Sequence, residues 1–184
     1  MTLIETDLPG VVLLQPKVFG DARGFFMETY NQRVFEQLTG VSESFVQDNH
    51  SRSSRGILRG LHYQIQNTQG KMIRAVRGEV WDVAVDLRRS SPHFGRSTGF
   101  LLSEENQHIV WVPPGFAHGF LVLSETADVV YKTTDFYAPA HERVLLWNDP
   151  ALKIQWPIDG ITPQLNARDA AGKPLAEEIG RAHV

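Results

Sequence analysis

Apolar positions come in short runs separated by turn residues, and the spacing of those runs carries most of the architectural information. Val11–Leu14 follows Pro9-Gly10, and Phe25–Tyr30 follows Asp21-Ala22-Arg23-Gly24. Ile57–Ile65, Met72–Val76 and Val80–Val85 come next, the last two parted by Gly78. Thr98–Leu102, His108–Val112, Phe120–Leu123 and Ala127–Thr133 continue the series. Runs this short, rich in Val, Ile, Phe and Trp, predict strands of a sandwich or barrel. Only Gln32–Leu38, closed by Gly40, and the tail around Leu175–Ile179 read as helical. The expected fold is mainly β: an antiparallel β-barrel or jelly roll with a few short helices.

Side-chain parity turns those strands into statements about faces. In Ile57–Ile65, Leu58, Gly60, His62 and Gln64 share one face, and Ile57, Arg59, Leu61 and Tyr63 share the other. In Ala127–Thr133, Val129, Tyr131 and Thr133 oppose Val130 and Lys132. Polar groups such as His62, Gln64 and Tyr131 would either line a ligand-holding lumen or face solvent, and period two leaves both open.

Composition narrows the class. The 184 residues suggest one domain, 1–184, at about 150 residues per domain. With 42% apolar residues, wholesale disorder is excluded. The absence of cysteine removes disulfides, thiolate metal sites and a thiol nucleophile. No apolar run approaches the roughly 20 residues of a spanning helix, and MTLIETDLPG lacks a signal-peptide layout, so a cytoplasmic location is expected. A net charge of −3 argues against a general nucleic-acid or membrane-surface binder.

That average conceals an asymmetry. Between Asp48 and Glu79 no acidic residue occurs, while Arg52, Arg55, Arg59, Lys71, Arg74 and Arg77 all do. The run brackets His62. It reads either as a solvated basic strand pair or as the binding surface for an anionic substrate, for which a guanidinium fork suits a diphosphate.

Metal chemistry can be tested on the motifs. Pro113-x-Gly115-x-x-His118 resembles the second motif of metal-binding cupins, whose first motif supplies His-x-His and a downstream Glu. Here that place reads His62-Tyr63-Gln64, followed by Lys71. An ammonium repels a divalent cation and Gln is a weak ligand, so a cupin barrel without a catalytic metal is expected.

Ordered runs along the whole chain identify a resemblance. They are Phe19–Phe26, Phe45-Val46-Gln47-Asp48-Asn49-His50-Ser51, Leu58-Arg59-Gly60-Leu61-His62-Tyr63-Gln64, Gly78–Asp86, Pro114-Gly115-Phe116-Ala117-His118-Gly119-Phe120 and Trp147-Asn148-Asp149-Pro150. Together they resemble the dTDP-4-dehydrorhamnose 3,5-epimerases, metal-free and cofactor-free cupin-type enzymes of dTDP-L-rhamnose synthesis. The resemblance implies a substrate, dTDP-4-keto-6-deoxy-glucose, whose C4 carbonyl acidifies the C3 and C5 protons. It implies His62 as base, Asp169 as the group that holds its tautomer, Tyr131 as acid on the opposite face, and Lys71 on the enolate oxygen. It places Arg23, Glu28, Gln47, Asp48, Asn49 and Arg59 against the nucleotide sugar, with Phe26 near the nucleotide. Tyr137 matches the aromatic that stacks on thymine, and His118 and Glu142 match further substrate-site positions. It also implies a homodimer with exchanged N-terminal strands, in which Arg23 and Glu28 serve the neighbouring site.

Two departures stand out. The usual Leu-Ser-x-Lys-Asp reads Leu165-Asn166-Ala167-Arg168-Asp169, so Arg168 keeps the charge with a different donor geometry. Pro92-His93-Phe94-Gly95 replaces the usual Pro-Thr-Phe-Gly in a turn. Arg59 and His62 also have opposite parity, which requires a bulge, a strand end or an Arg59 side chain reaching round the rim. Without the motifs, His62 would read as a half-buried structural histidine, Tyr131 as a core tyrosine and Asp169 as a turn cap. His50, His93, His108, His141 and His183 keep the structural reading. Two rivals remain: a single-centre epimerase or ketoisomerase on a related dTDP-keto-sugar, and a nucleotide-sugar-binding module without turnover.

Overall fold

In the computed structural model of the chain, residues 1–178 are described. In chain order the strands are β1 (Thr2–Glu5), β2 (Val12–Gln15), β3 (Val18–Asp21), β4 (Gly24–Met27), β5 (Gln47–Ser54), β6 (Leu58–Gln64) and β7 (Lys71–Arg77). They continue with β8 (Glu79–Asp86), β9 (Ser97–Ser103), β10 (Ile109–Val112), β11 (Phe116–Val122), β12 (Thr126–Thr133) and β13 (Glu142–Val144). Helices are α1 (Gln32–Thr39), α2 (Ala167–Ala170) and α3 (Leu175–Glu178). Ile179 of the expected tail helix lies outside the described residues, as does His183. Among the described residues no helix is long and apolar enough to cross a membrane.

Two antiparallel sheets face each other, ordered β1-β2-β10-β7-β12-β5 and β13-β6-β11-β8-β9, while β3-β4 forms a separate hairpin. Residues from both sheets fill the space between them, including Ile73, Ala75, Val110 and Val129 from one and Val80, Ala84, Leu102 and Phe120 from the other. Each outer face is covered in part. Phe35 of α1 packs with Leu14, Met72, Ile109 and Trp111. Leu145, Leu152 and Leu175 pack on Leu61, Tyr63, Val83 and Val85. Burial on both faces explains why β8 and β11, though each carries a polar residue, show no period-two alternation.

Local chemistry sets the ends of α1. The Asn31 side chain accepts from the Arg33 and Val34 amides, and Gly40 closes the helix at φ 72°. Strand β5 was absent from the apolar-run pattern because its sequence, QDNHSRSS, is polar on both faces. It is an edge strand whose inner face meets a polar cavity instead of the core, so no hydrophobic alternation marks it.

Parity along β6 needs a correction. On pairing with β11, His118 opposes His62 and Phe120 opposes Arg59, so Gly60 and Leu61 face the single residue Gly119. This bulge shifts the phase by one residue. Ile57 packs on the inter-sheet core, and Arg59 joins His62 on the inner side, while Leu61 and Tyr63 pack outward. Glycine is required on both strands here. A Cβ at Gly60 (φ 108°) would sit 2.7 Å from the Gly119 Cα, and one at Gly119 would sit 2.5 Å from the Arg59 oxygen.

Candidate active site

The inner faces of β5, β7 and β12 from one sheet and of β6, β11 and β13 from the other enclose a cavity of about 310 Å³. Its lining includes His62, Lys71, His118, Tyr131, Arg59 and Asn49. Gln47, Tyr137, Glu142 and Arg168 complete the predicted residues that it contains. Parity on β12 holds as expected: Tyr131 faces the cavity, and Lys132 faces away to pair with Asp48 at 2.8 Å.

His62 is the centre of the arrangement. Its Nε2 lies 2.7 Å from Asp169 Oδ1, and the other Asp169 oxygen accepts the Gly60 amide at 3.0 Å. Asp169 is itself placed by α2, where the Asn166 side chain accepts the Asp169 amide at 2.7 Å as the helix N-cap. Asn166 thus supplies the oxygen that caps the helix carrying Asp169. Burial opposes ionisation of Asp169, but the hydrogen bond and charge of His62, the Gly60 amide and Arg168 hold its carboxyl below the usual range. An ionised Asp169 accepts a hydrogen bond from Nε2–H, leaving Nδ1 with the lone pair.

Two further groups are tuned by enclosure. Burial pulls the Lys71 ammonium down to about 8, while the Glu142 and Asp82 carboxylates keep it from falling further. Burial pushes the Tyr131 phenol up, reinforced by Glu142 and opposed by Arg59, so it stays protonated at neutral pH. At pH 7 the cavity therefore holds the His62 ring oriented by a carboxylate, together with a neutral phenol and an ammonium.

The outer part of the cavity is a hydrogen-bonded rim. Glu142 receives the Tyr137 hydroxyl at 2.9 Å and an Arg168 guanidinium N–H. Arg168 also pairs with Asp169 Oδ1 at 3.6 Å, so the arginine bridges the rim to the dyad. Gln47 accepts the Tyr137 amide at 3.0 Å and donates to Asn49 at 3.0 Å. Arg59 donates from Nε to Ser53 Oγ at 2.9 Å, which fixes the plane of its guanidinium.

The readings of Gln64 and Asp48 are corrected, while Arg23 and Glu28, expected to serve a neighbouring subunit, lie outside this chain's own cavity. Gln64 does not line the cavity: its amide donates to the Asn67 and Phe136 carbonyls and accepts the Ala138 amide at 2.8 Å, anchoring the segment that carries Tyr137. Asp48 faces the opposite side of β5, because it alternates with Gln47 and Asn49. Arg23 and Phe26 stand on the β3-β4 hairpin outside the chain's own cavity, Arg23 clasping Asp21 and Phe26 exposed. Glu28, beyond the hairpin, accepts from Asn31 at 3.1 Å and is likewise outside the cavity. The basic run also divides. Arg59 and Lys71 line the cavity, Arg52 forks onto Asp128, and Arg74 belongs to the outer face of the same sheet.

Other residues were missed. Ser51, Gln69, Gly119 and Phe120 line the cavity, and Asp82 holds His118 Nε2 at 2.8 Å. The signal for Asp82 was present: a carboxylate within the apolar Val80–Val85 strand requires a buried partner. Among the described residues, no group of three or more His, Asp or Glu converges as metal ligands.

Comparison with known proteins places this geometry. Residues 5–177 match the model of the dTDP-4-dehydrorhamnose 3,5-epimerase family. The dTDP-4-dehydrorhamnose 3,5-epimerase of Pseudomonas aeruginosa is 61% identical over 177 residues, covering 96% of this chain and 97% of the relative. A Legionella pneumophila dTDP-6-deoxy-D-glucose-3,5-epimerase, solved in complex with dTDP-4-keto-L-rhamnose, superposes with a TM-score of 0.93. It is 49% identical, with 95% and 93% of the two chains covered. ChmJ, a 3'-monoepimerase from Streptomyces bikiniensis, superposes with a TM-score of 0.89 at 35% identity, covering 99% and 92%. The fold is the cupin-type barrel of these enzymes, and the chain belongs to the dTDP-4-dehydrorhamnose 3,5-epimerase family.

Proposed function

We propose that the cavity epimerises dTDP-4-dehydro-6-deoxy-D-glucose at C3 and C5, giving dTDP-4-dehydro-L-rhamnose for dTDP-L-rhamnose synthesis. The observation that carries this reading is His62, held from behind by the buried Asp169, lining one cavity with Tyr131 and Lys71. Nδ1 of His62 takes the proton from C3 or C5, and the C–H electron pair moves into the ring to place charge on the C4 oxygen. The Lys71 ammonium stabilises that enolate, an interaction worth roughly 3 kcal/mol for an oriented donor. Tyr131 delivers its phenolic proton to the opposite face. The inverted carbon keeps that proton, His62 releases its own to solvent, and the phenolate is reprotonated. Repetition at the second carbon completes the double inversion.

In this reading the nucleotide lies at the rim, with thymine against Tyr137 and the diphosphate on Arg59. His118, Asn49, Gln47, Glu142 and Arg168 complete the sugar-nucleotide contacts, and no cofactor or metal takes part. The chain acts as one domain in the cytoplasm. A homodimer with exchanged N-terminal strands would bring the Arg23 and Glu28 region to the neighbouring cavity. Supporting this assembly, the hairpin presents Phe19, Phe25 and Phe26 at 53%, 63% and 70% exposure, an apolar patch that a partner would cover.

The test is deuterium incorporation from D₂O into dTDP-4-keto-6-deoxy-glucose, followed by NMR at C3 and C5. Exchange at both carbons with formation of the L-rhamno product supports the reading. Tyr131→Phe should retain exchange while losing inversion, because His62 can return the proton only to the face it came from. Exchange at one carbon alone would replace the double epimerase by a single-centre enzyme, as the likeness to the monoepimerase ChmJ allows. Binding with no exchange at either carbon would remove the catalytic reading altogether.

A further inference from the structure

Gln64 is 6% exposed, and its carboxamide meets three backbone groups. Nε2 donates to the Asn67 oxygen at 2.6 Å and the Phe136 oxygen at 3.3 Å, and Oε1 accepts the Ala138 amide at 2.8 Å. Two carbonyls and one N–H admit a single orientation of the amide, because the flipped group would set acceptor against acceptor. Buried polar groups paired this completely hold one conformation, since any other leaves them unpaired. Gln64 stands where metal-binding cupins carry the second His of their His-x-His pair, and here backbone groups take up its polar atoms.

Those bonds bracket Tyr137. Gln64 holds the carbonyl of the residue before it and the amide of the residue after it, while Gln47 Oε1 accepts the Tyr137 amide at 3.0 Å. Gln47 belongs to β5 and Gln64 to β6, on opposite sheets, so the 136–138 segment is pinned from both walls of the cavity. Register on β13 sets Glu142 opposite Gln64, and Glu142 accepts the Tyr137 hydroxyl at 2.9 Å. Tyr137 is therefore fixed at its backbone and at its hydroxyl, with 48% of the residue still exposed. An aromatic ring held before its ligand arrives gives up less conformational freedom on binding.

We propose that Gln64 is a positioning residue for nucleobase recognition: it touches no ligand, and it sets the place of the ring on which the base stacks. The inference rests on the proposed contact between thymine and Tyr137 and deepens it by naming what presents that ring. Stacking depends on the offset and tilt of two planes, so a displaced segment weakens it. Arg59 and His62 depend on other hydrogen bonds, to Ser53 and Asp169, and do not follow the segment.

Calorimetric binding of dTDP and of inorganic diphosphate to wild type, Gln64→Leu and Gln64→Glu tests the assignment. Gln64→Leu loses all three bonds, and Gln64→Glu keeps an acceptor for Ala138 while losing both donors. The leucine variant should bind dTDP about ten-fold more weakly, and the glutamate variant should weaken it by a smaller factor. Inorganic diphosphate, which has no base, should bind both variants as it binds wild type. KM for dTDP-4-keto-6-deoxy-glucose should rise while kcat changes little. Should the leucine variant fail to fold, the near-isosteric glutamate variant decides. Wild-type dTDP affinity in either folded variant overturns the assignment. Equal weakening of dTDP and diphosphate does so too, since it would mark general damage to the cavity. Tyr137→Ala separates this inference from the reading beneath it. If that variant binds dTDP as tightly as wild type, the stacking contact itself fails; a weakened Tyr137→Ala beside unchanged Gln64 variants removes only the role of Gln64.

Discussion

Arg59 and His62 are three residues apart on one strand and face the same cavity. In a regular strand they would point to opposite sides. The bulge opposite Gly119 moves the phase by one residue, and it brings the Arg59 guanidinium into the cavity that the His62 imidazole lines.

Gly60→Ala should therefore damage both stability and activity. The new methyl would meet the Gly119 Cα and the His118 oxygen at 2.7 Å, on a backbone already at φ 108°. We expect a loss of roughly 2–4 kcal/mol in a denaturant titration. Surviving folded protein should show a higher KM together with a lower kcat, since displacement of the bulge moves Arg59 and His62 together. A variant with normal stability and kinetics would show that the phase shift does not depend on this close approach.

Asp169→Asn should lower kcat by roughly 10²–10⁴-fold with a smaller change in dTDP affinity. The amide cannot supply the charge that favours an Nε2-protonated imidazole, and its single oxygen can accept from His62 or from the Gly60 amide but not from both. Steady-state kinetics alongside dTDP calorimetry measures the two effects separately. Parallel losses in both would assign Asp169 to binding rather than to orienting the base.

Lys71 makes activity and stability respond oppositely to alkali. With its ammonium held to about 8, the group is charged at pH 7 and neutral by pH 9, so kcat should fall as pH rises through about 8. The unfolded chain keeps this lysine protonated up to about 10.4, and so binds more protons than the folded chain between those values. Stability from this one group therefore increases with pH in that window, the reverse of the usual salt-bridge case. Comparison of wild type with Lys71→Met isolates the contribution. The variant should lose the alkaline limb of the kcat profile, retain about 10⁻²–10⁻³ of the activity, and gain stability at pH 7. An alkaline limb that persists in Lys71→Met would belong to another group.

Much of this molecule is written in local pattern. Turn glycines and prolines between short β-branched runs determine an antiparallel β fold, because a strand's period and its terminators are properties of neighbouring residues. The phase of β12, with Tyr131 inward and Lys132 outward, is of the same kind. Ordered motifs also name His62, Lys71, Tyr131 and Asp169 as a set. Tertiary structure alone decided which of those groups meet. Asp169 reaches His62 across 107 positions through a four-residue helix capped by Asn166, too short to mark itself by periodicity. The bulge in β6 exists only as a mismatch against β11, so no reading of β6 by itself could have placed Arg59 beside His62. The acid-free stretch from Asp48 to Glu79 shows the same division. Its six basic residues fall in one stretch of sequence, yet alternation and pairing send Arg59 and Lys71 into the cavity and Arg52 onto Asp128. Charge is additive along a chain, but the field at a site depends on which side of each sheet a side chain occupies.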